Sequence, residues 1–300
     1  MKKDKLFTKK EIDYLSNEIK DKVFKPIEKF KATIFLCGAA LGDETKLRSK
    51  IAQRIDGYKF GYRYDIIYPE NIFEELLYGS QKLDLLSLEE ILADSVDVLI
   101  IIPESPGSFA ELGAFANNEK LRSKIICIID KKYKKHKSFV NQGPVKLIKK
   151  TNKKNVLYVD VDNLDAKFQE ILTQINRVKK SSTNSKGGLH LLQLENFLLP
   201  VIYLLEPIGK ETMIDLVESA TNNKDNAEDI TTAALTMLVK NKRIKISSEG
   251  YSLSDKGILY FLDQGKLGTR EKNTSRRDKL DEIRLKILNF TNRQKKLKIN

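Results

Sequence analysis

Residues 97–118 read Asp-Val-Leu-Ile-Ile-Ile-Pro-Glu-Ser-Pro-Gly-Ser-Phe-Ala-Glu-Leu-Gly-Ala-Phe-Ala-Asn-Asn. Five apolar residues, Val98 to Ile102, predict a strand buried on both faces. Pro103 to Gly107 predict a turn, and the run from near Ser108 predicts a helix. Strand, turn and helix in that order make half of a βαβ unit. Open α/β sheets bind their ligands just beyond the carboxyl end of such a strand. Glu111 lies there, on the expected first turn of the helix.

The same alternation extends in both directions. Strands are expected at 33–37, 64–68, 125–129 and 156–159, with helical patterns at 44–55, 72–77, 85–93 and 164–178. Fully apolar strands alternating with helices predict a doubly wound, mostly parallel sheet covered on both faces. A polar stretch with Gly187 and Gly188 marks a boundary, so residues 1–180 read as one α/β domain and 189–300 as a second. In the second half, helices are expected at 191–205, 213–220 and 230–241. A hairpin follows, Ile244 to Ile246 and Tyr251 to Leu253 around Ser247-Ser-Glu-Gly250. Three helices and a hairpin predict a winged helix-turn-helix.

The net charge of +13 over 300 residues points to a polyanionic partner. The excess is concentrated, since Lys131 to Lys154 holds ten lysines and no acid. Cys37 and Cys127 lie in apolar runs and read as buried thiols. Two histidines without paired cysteines exclude a zinc site from the expectation, and no metal is expected. No apolar run reaches the roughly 18 residues of a membrane span, and the charged start lacks a signal-peptide core, so a cytoplasmic protein without membrane contact is expected.

Two readings compete for Glu111. Ser108-x-x-Glu111 has the spacing of a capping box, which needs no chemistry. A carboxylate beside a sugar C1′ can instead capture an oxocarbenium-like centre as a covalent glycosyl-enzyme. The same rim holds Cys37, Gly38 and Gly42 after the first strand, Tyr68 and Glu70 after the second, and Asn141 in a later loop. Gly38 to Gly42 suit a phosphate or ribose, Tyr68 suits a base, and Asn141 suits a closing loop; ordinary packing and turns explain each of them as well.

The strand, the Gly-Ser-Phe-Ala-Glu-Leu-Gly-Ala-Phe-Ala run and the early Thr-Ile-Phe-Leu-Cys-Gly strand resemble the nucleoside 2-deoxyribosyltransferase family. That resemblance maps the family's nucleophilic glutamate onto Glu111, its turn glycine onto Gly107, its threonine onto Ser108 and a strand aspartate onto Asp97. Ser105 stands where the family carries an aspartate six residues before the nucleophile, and Glu104 is the nearest compensating acid. Leu85 to Asp97, Pro103 to Phe115, Ser138 to Pro144 and Phe197 to Leu205 together resemble the retron-associated deoxyribosyltransferase-like effectors. The resemblance implies an anti-phage toxin: an N-glycosidase with NAD as substrate and no cofactor, held with a retron reverse transcriptase and msDNA. Glu111 would be the nucleophile, with Glu104 or Asp97 assisting and Cys37, Gly38, Tyr68, Ser105, Gly107, Ser108 and Asn141 holding the substrate.

In the second half, Ile230, Ala234 and Leu238 are expected to face a core, with Ala233 and Met237 beside them. Thr232, Thr236 and Lys240 then form an exposed stripe. With Lys242, Arg243 and Lys245 they are the candidate phosphate contacts. Leu280, Ile283, Ile287 and Phe290 suit a helix that docks a partner or another copy of this chain, or packs on its own domain. Two further functions stay open: deoxyribosyl transfer between bases, and a non-catalytic nucleotide sensor that binds DNA.

Overall fold

A computed structural model describes residues 7–40, 42–70, 95–182, 189, 193–222, 227–264 and 274–297. The helical patterns expected at 72–77 and 85–93 lie outside these residues. The chain divides into two compact units, one of Lys31–Gly187 and one of Met1–Phe30 with Gly188–Asn300. The division after Gly187 falls in the polar stretch read as the boundary. The first thirty residues differ from expectation, because they fold with the C-terminal unit.

Their sequence explains this. Thr8 caps α1 (Lys9–Ile19) through a reciprocal box with Glu11, and Ile12, Leu15 and Ile19 are buried along one face. A π-turn, Lys20–Phe24, leads to α2 (Lys25–Phe30) and buries Val23 and Phe24. The Ser16 hydroxyl donates to the carbonyl of Leu216 at 2.9 Å, and Phe24 meets Phe197 edge-on at 6.0 Å. These contacts are long-range in sequence, so no local pattern announces them.

The α/β unit begins with β1 (Ala32–Cys37), α3 (Leu47–Asp56), β2 (Tyr64–Ile67), β3 (Val98–Ile101), α4 (Pro106–Asn117) and α5 (Glu119–Arg122). It continues with β4 (Ile125–Asp130), α6 (Phe139–Gln142), α7 (Pro144–Thr151), β5 (Val156–Val159) and α8 (Asp165–Ser182). The five strands form one sheet in the order β2-β1-β3-β4-β5, and every pairing is parallel. Alternate residues separate the faces. Ile34, Leu36, Val98, Ile100, Ile126 and Ile128 pack against Leu47, Ile51 and Ile55 of α3 and Phe168, Ile171 and Ile175 of α8. On the other face Phe35 meets Phe115 of α4 at 6.4 Å, and α7 lies against β4 and β5. The sheet is therefore covered on both sides, as expected. Chain direction across the sheet reverses between β1 and β3, whose following helices lie on opposite faces. The crevice between those two carboxyl ends is the switch point at which such sheets bind ligands.

The lysine-rich stretch read as a loop contains two helices. Val145 and Ile148 of α7 are buried, and the surrounding lysines hide this short apolar face in the sequence.

The C-terminal unit is built on α9 (Leu194–Leu205), buried along most of its length. Around it lie α10 (Lys210–Thr221), α11 (Ala227–Lys240), the antiparallel hairpin β6 (Ile244–Ser247) and β7 (Gly250–Leu253), α12 (Asp255–Gln264) and α13 (Thr274–Leu297). Ile208 adds a bridge to Tyr251. Gly250 has φ +138°, and a Cβ there would meet the Ile208 carbonyl oxygen at 2.6 Å, so the hairpin requires glycine at that point. On α11 the buried face is Thr231, Ala234, Leu235 and Leu238, rotated toward Leu235 from the expected Met237. Leu280, Ile283 and Ile287 of α13 are buried, and the helix packs against α1 and α9 of its own unit. Among the described residues no helix is long and apolar enough to cross a membrane.

Candidate active site

The turn between β3 and α4 is fixed by two serines. Ser105 is the N-cap of α4, with Pro106 at the first helical position. Its hydroxyl oxygen accepts from the Ser108 N–H at 3.3 Å, and its O–H donates to the Gly38 carbonyl at 2.9 Å. The buried Ser108 hydroxyl accepts from the N–H groups of Ser105 and Glu104, at 2.9 and 3.0 Å. The cap is thus Ser105 with Ser108, and the expected box of Ser108 with Glu111 does not form. Both serine spacings fit the pattern, and Pro106 at the first position decides between them. Glu111 moves to the second turn of α4, where capping no longer accounts for it.

The Glu111 carboxyl is half-buried beside Cys37, the last residue of β1, whose thiol hydrogen-bonds to it. Burial raises the carboxyl above its ordinary pKa, and the Cys37 thiol and the Arg48 charge pull it partly back. Burial, then the Glu111 charge, push the Cys37 thiol well above its ordinary value. Cys37 therefore acts here as a neutral donor, and a reactive thiolate is disfavoured.

Arg48, on the first turn of α3, was not singled out in the sequence. Its side chain is 1 % exposed. The guanidinium forks onto Glu70 with two bonds of 2.7 Å, donates to the Ala39 carbonyl, and lies 5.1 Å from the centre of the Tyr68 ring. Burial opposes ionisation of Glu70, and the Arg48 hydrogen bonds, a hydrogen bond from its own backbone N–H and the Arg48 charge together outweigh it, holding that carboxyl below its ordinary range. Among the described residues, Arg48 Nε is buried and has no hydrogen-bond partner. A Cβ on Gly38 would lie 2.8 Å from Arg48 Cβ and 2.9 Å from Cδ. Gly38 is thus the slot through which Arg48 passes, a steric role that the expectation of a phosphate cradle did not include. Tyr68, expected to stack on a base, has its ring beside Arg48.

Glu104 is committed elsewhere. Its two oxygens accept the N–H groups of Leu47 and Arg48, at 2.8 and 3.2 Å, and so cap α3 from across the crevice. Asp97 lies at the amino end of the β3 region, 1 % exposed, and accepts from the Thr33 N–H at 2.9 Å. It stitches β1 to β3 at the opposite end from Glu111, which removes the geometric basis for a catalytic role. Gly107 faces open space, where a Cβ would meet nothing within 4 Å. Asn141, on α6, donates to the carbonyls of Tyr133 and His136, at 2.9 and 2.7 Å, and ties down the lysine-rich segment. The structure thus gathers Cys37, Gly38, Tyr68, Glu104, Ser105, Ser108 and Glu111 around the crevice, together with Arg48 and Glu70. Among the described residues no cluster of His, Cys, Asp or Glu is arranged to hold a metal ion.

In the C-terminal unit, Thr232, Thr236, Lys240, Lys242 and Lys245 are exposed. The two threonine hydroxyls donate to the carbonyls of Glu228 and Thr232 on their own helix, and Lys245 approaches Asp255 at 3.7 Å. Arg243 turns inward, 3.2 Å from Glu195 and 3.7 Å from the centre of the Tyr260 ring. It packs the hairpin, whereas Lys240, Lys242 and Lys245 stay exposed.

A parallel α/β sheet with a half-buried carboxylate at its switch point, followed by a helical unit with a hairpin, defines the class. The chain belongs to the STM3845 retron effector family, whose model matches residues 44–246. It is 36 % identical over 306 aligned positions to an Escherichia coli protein of retron Ec86, covering 97 % of this chain and 95 % of that one. That relative is named as a candidate ribosyltransferase and DNA-binding protein. A second E. coli relative, of retron Ec73 and named in the same terms, is 37 % identical over 124 residues, 39 % of this chain and 38 % of its own.

Proposed function

We propose that this retron effector is an N-glycosidase that hydrolyses NAD, with Glu111 as nucleophile. The observation that carries the reading is Glu111 itself, a half-buried carboxylate at the switch point whose position capping does not explain. A Glu111 oxygen attacks C1′ of the nicotinamide ribose as the C1′–N bond breaks, and the bonding pair goes to the pyridinium nitrogen. Nicotinamide leaves neutral, so its departure needs no acid. Water then attacks C1′ of the glycosyl ester as the C1′–O bond to Glu111 breaks, giving ADP-ribose, the free Glu111 carboxylate and a proton released to solvent. The Cys37 thiol orients one carboxylate oxygen, and Arg48 Nε is a donor available to a substrate oxygen. The use of Ser105 as a helix cap favours hydrolysis of NAD over deoxyribosyl transfer, which asks more of a leaving-group acid. The names of the relatives support sugar-transfer chemistry and a DNA partner.

We read the C-terminal unit as a winged helix that contacts nucleic-acid backbone through Lys240, Lys242 and Lys245, and the whole chain as a partner of retron reverse transcriptase and msDNA. The test follows nicotinamide release from NAD by chromatography, for the protein alone and with those partners. Release by the wild type and none by Glu111→Gln is expected. Exchange of free bases between deoxynucleosides without nicotinamide release would assign the transferase reading. Ligand-dependent DNA binding with neither product would assign the sensor.

A further inference from the structure

Between β4 and α6 the chain places five lysines in seven exposed residues, 131–137. Lys132 pairs with Asp130, the last residue of β4. No acid follows until after Lys154, so the segment carries a large uncompensated positive charge. Aromatic rings stand in the same stretch. Tyr133 is 44 % exposed, and Phe139, the first residue of α6, is 86 % exposed. Rings of that size are usually buried, and one left almost wholly in water forgoes the stabilisation that burial contributes. Phe139 also forms one wall of an open groove of about 650 Å³, lined besides by Gly113, Ala114, Asn117, Pro144 and Leu147. Small residues on α4 leave the floor open, and Asn117 offers both a donor and an acceptor. Asn141 braces the lysine segment against α6, so the charges and the ring are held on one surface.

We propose that this surface of the α/β unit binds single-stranded DNA, with lysines 131–137 on the phosphates and Phe139 stacking a base over the groove. Lysines interleaved with aromatic platforms are what sequence-tolerant single-strand binding requires. The same charge disfavours a second copy of this chain across a two-fold axis, since like patches would face each other. The choice of DNA over RNA rests on the partner proposed above; the site itself does not depend on chemistry at Glu111. Lys131 follows directly from β4, so the surface begins on the same edge of the sheet as Cys37, two strands away.

The test measures fluorescence anisotropy of a labelled oligothymidylate with the full-length chain across a salt series. Phe139→Ala should weaken binding roughly five- to 150-fold, the range of one base stacked on an aromatic side chain, and leave the salt slope unchanged. Lys134→Glu with Lys135→Glu should weaken binding and flatten the slope. Lys242→Glu with Lys245→Glu, in the other unit, separates the two surfaces. Full binding in the Phe139 and Lys134/Lys135 variants, with loss confined to the Lys242/Lys245 variant, would overturn the proposal. So would tighter binding of oligouridylate than of oligothymidylate. Unchanged DNA binding with loss of reverse transcriptase binding would reassign the face to a protein. Nicotinamide release, followed in parallel, reports on Glu111 separately.

Discussion

Glu111 and Cys37 form the pair on which the chemistry turns. Burial raises the Glu111 carboxyl, and the thiol hydrogen bond lowers it. A nucleophile must be ionised, so activity should fall as pH drops through the raised value. Cys37→Ala removes a contribution that favours the charged form, and the acid limb of the pH–rate profile should therefore move to higher pH. Cys37→Ser, which keeps a donor, should move it back toward the wild type; identical profiles for all three would remove the thiol from the site. Sequence alone brought Glu111 and Cys37 onto one rim, because each ends or follows an apolar run that closes in a glycine or proline turn. It did not bring Arg48 there. An arginine between apolar helix positions reads as surface charge, and only the folded crevice supplies Glu70, Ala39 and Tyr68 around it.

At the level of elements, α4 is aimed by its cap. Ser105 closes the first turn and reaches the end of β1 through the Gly38 carbonyl. Ser105→Ala should cost about 1 kcal/mol, the usual loss for an N-cap. Because the same hydroxyl positions the helix that bears Glu111, turnover should fall more than stability does. Paired denaturation and rate measurements check this, and equal losses would reduce Ser105 to a cap alone. Five strands and most helices were legible from their periodicity. The capping register was not, since Ser105 and Ser108 both satisfy the local rule. Nor were α6 and α7 legible, because α6 buries no residue and the few that α7 buries are embedded among lysines that dominate any local average.

At the scale of the molecule, the N-terminal thirty residues belong to the unit that ends the chain. Leu15 is fully buried there. Leu15→Ala should cost roughly 2–5 kcal/mol and increase amide exchange in α9 and α10, with β1 to β5 unaffected. Increased exchange in the sheet would return those residues to the α/β unit. Composition marks only the polar stretch before residue 189, and a segment that returns across more than 150 residues leaves no local mark. The proposed covalent bond between the sugar and Glu111 can be observed by mass spectrometry. An NAD analogue fluorinated at C2′ of the nicotinamide ribose slows breakdown of a glycosyl ester. Incubation with the wild type should add the mass of the fluorinated ADP-ribosyl group to the peptide containing Glu111 and to no other. Adduct on a different residue, or nicotinamide turnover that persists in Glu111→Gln, would contradict it.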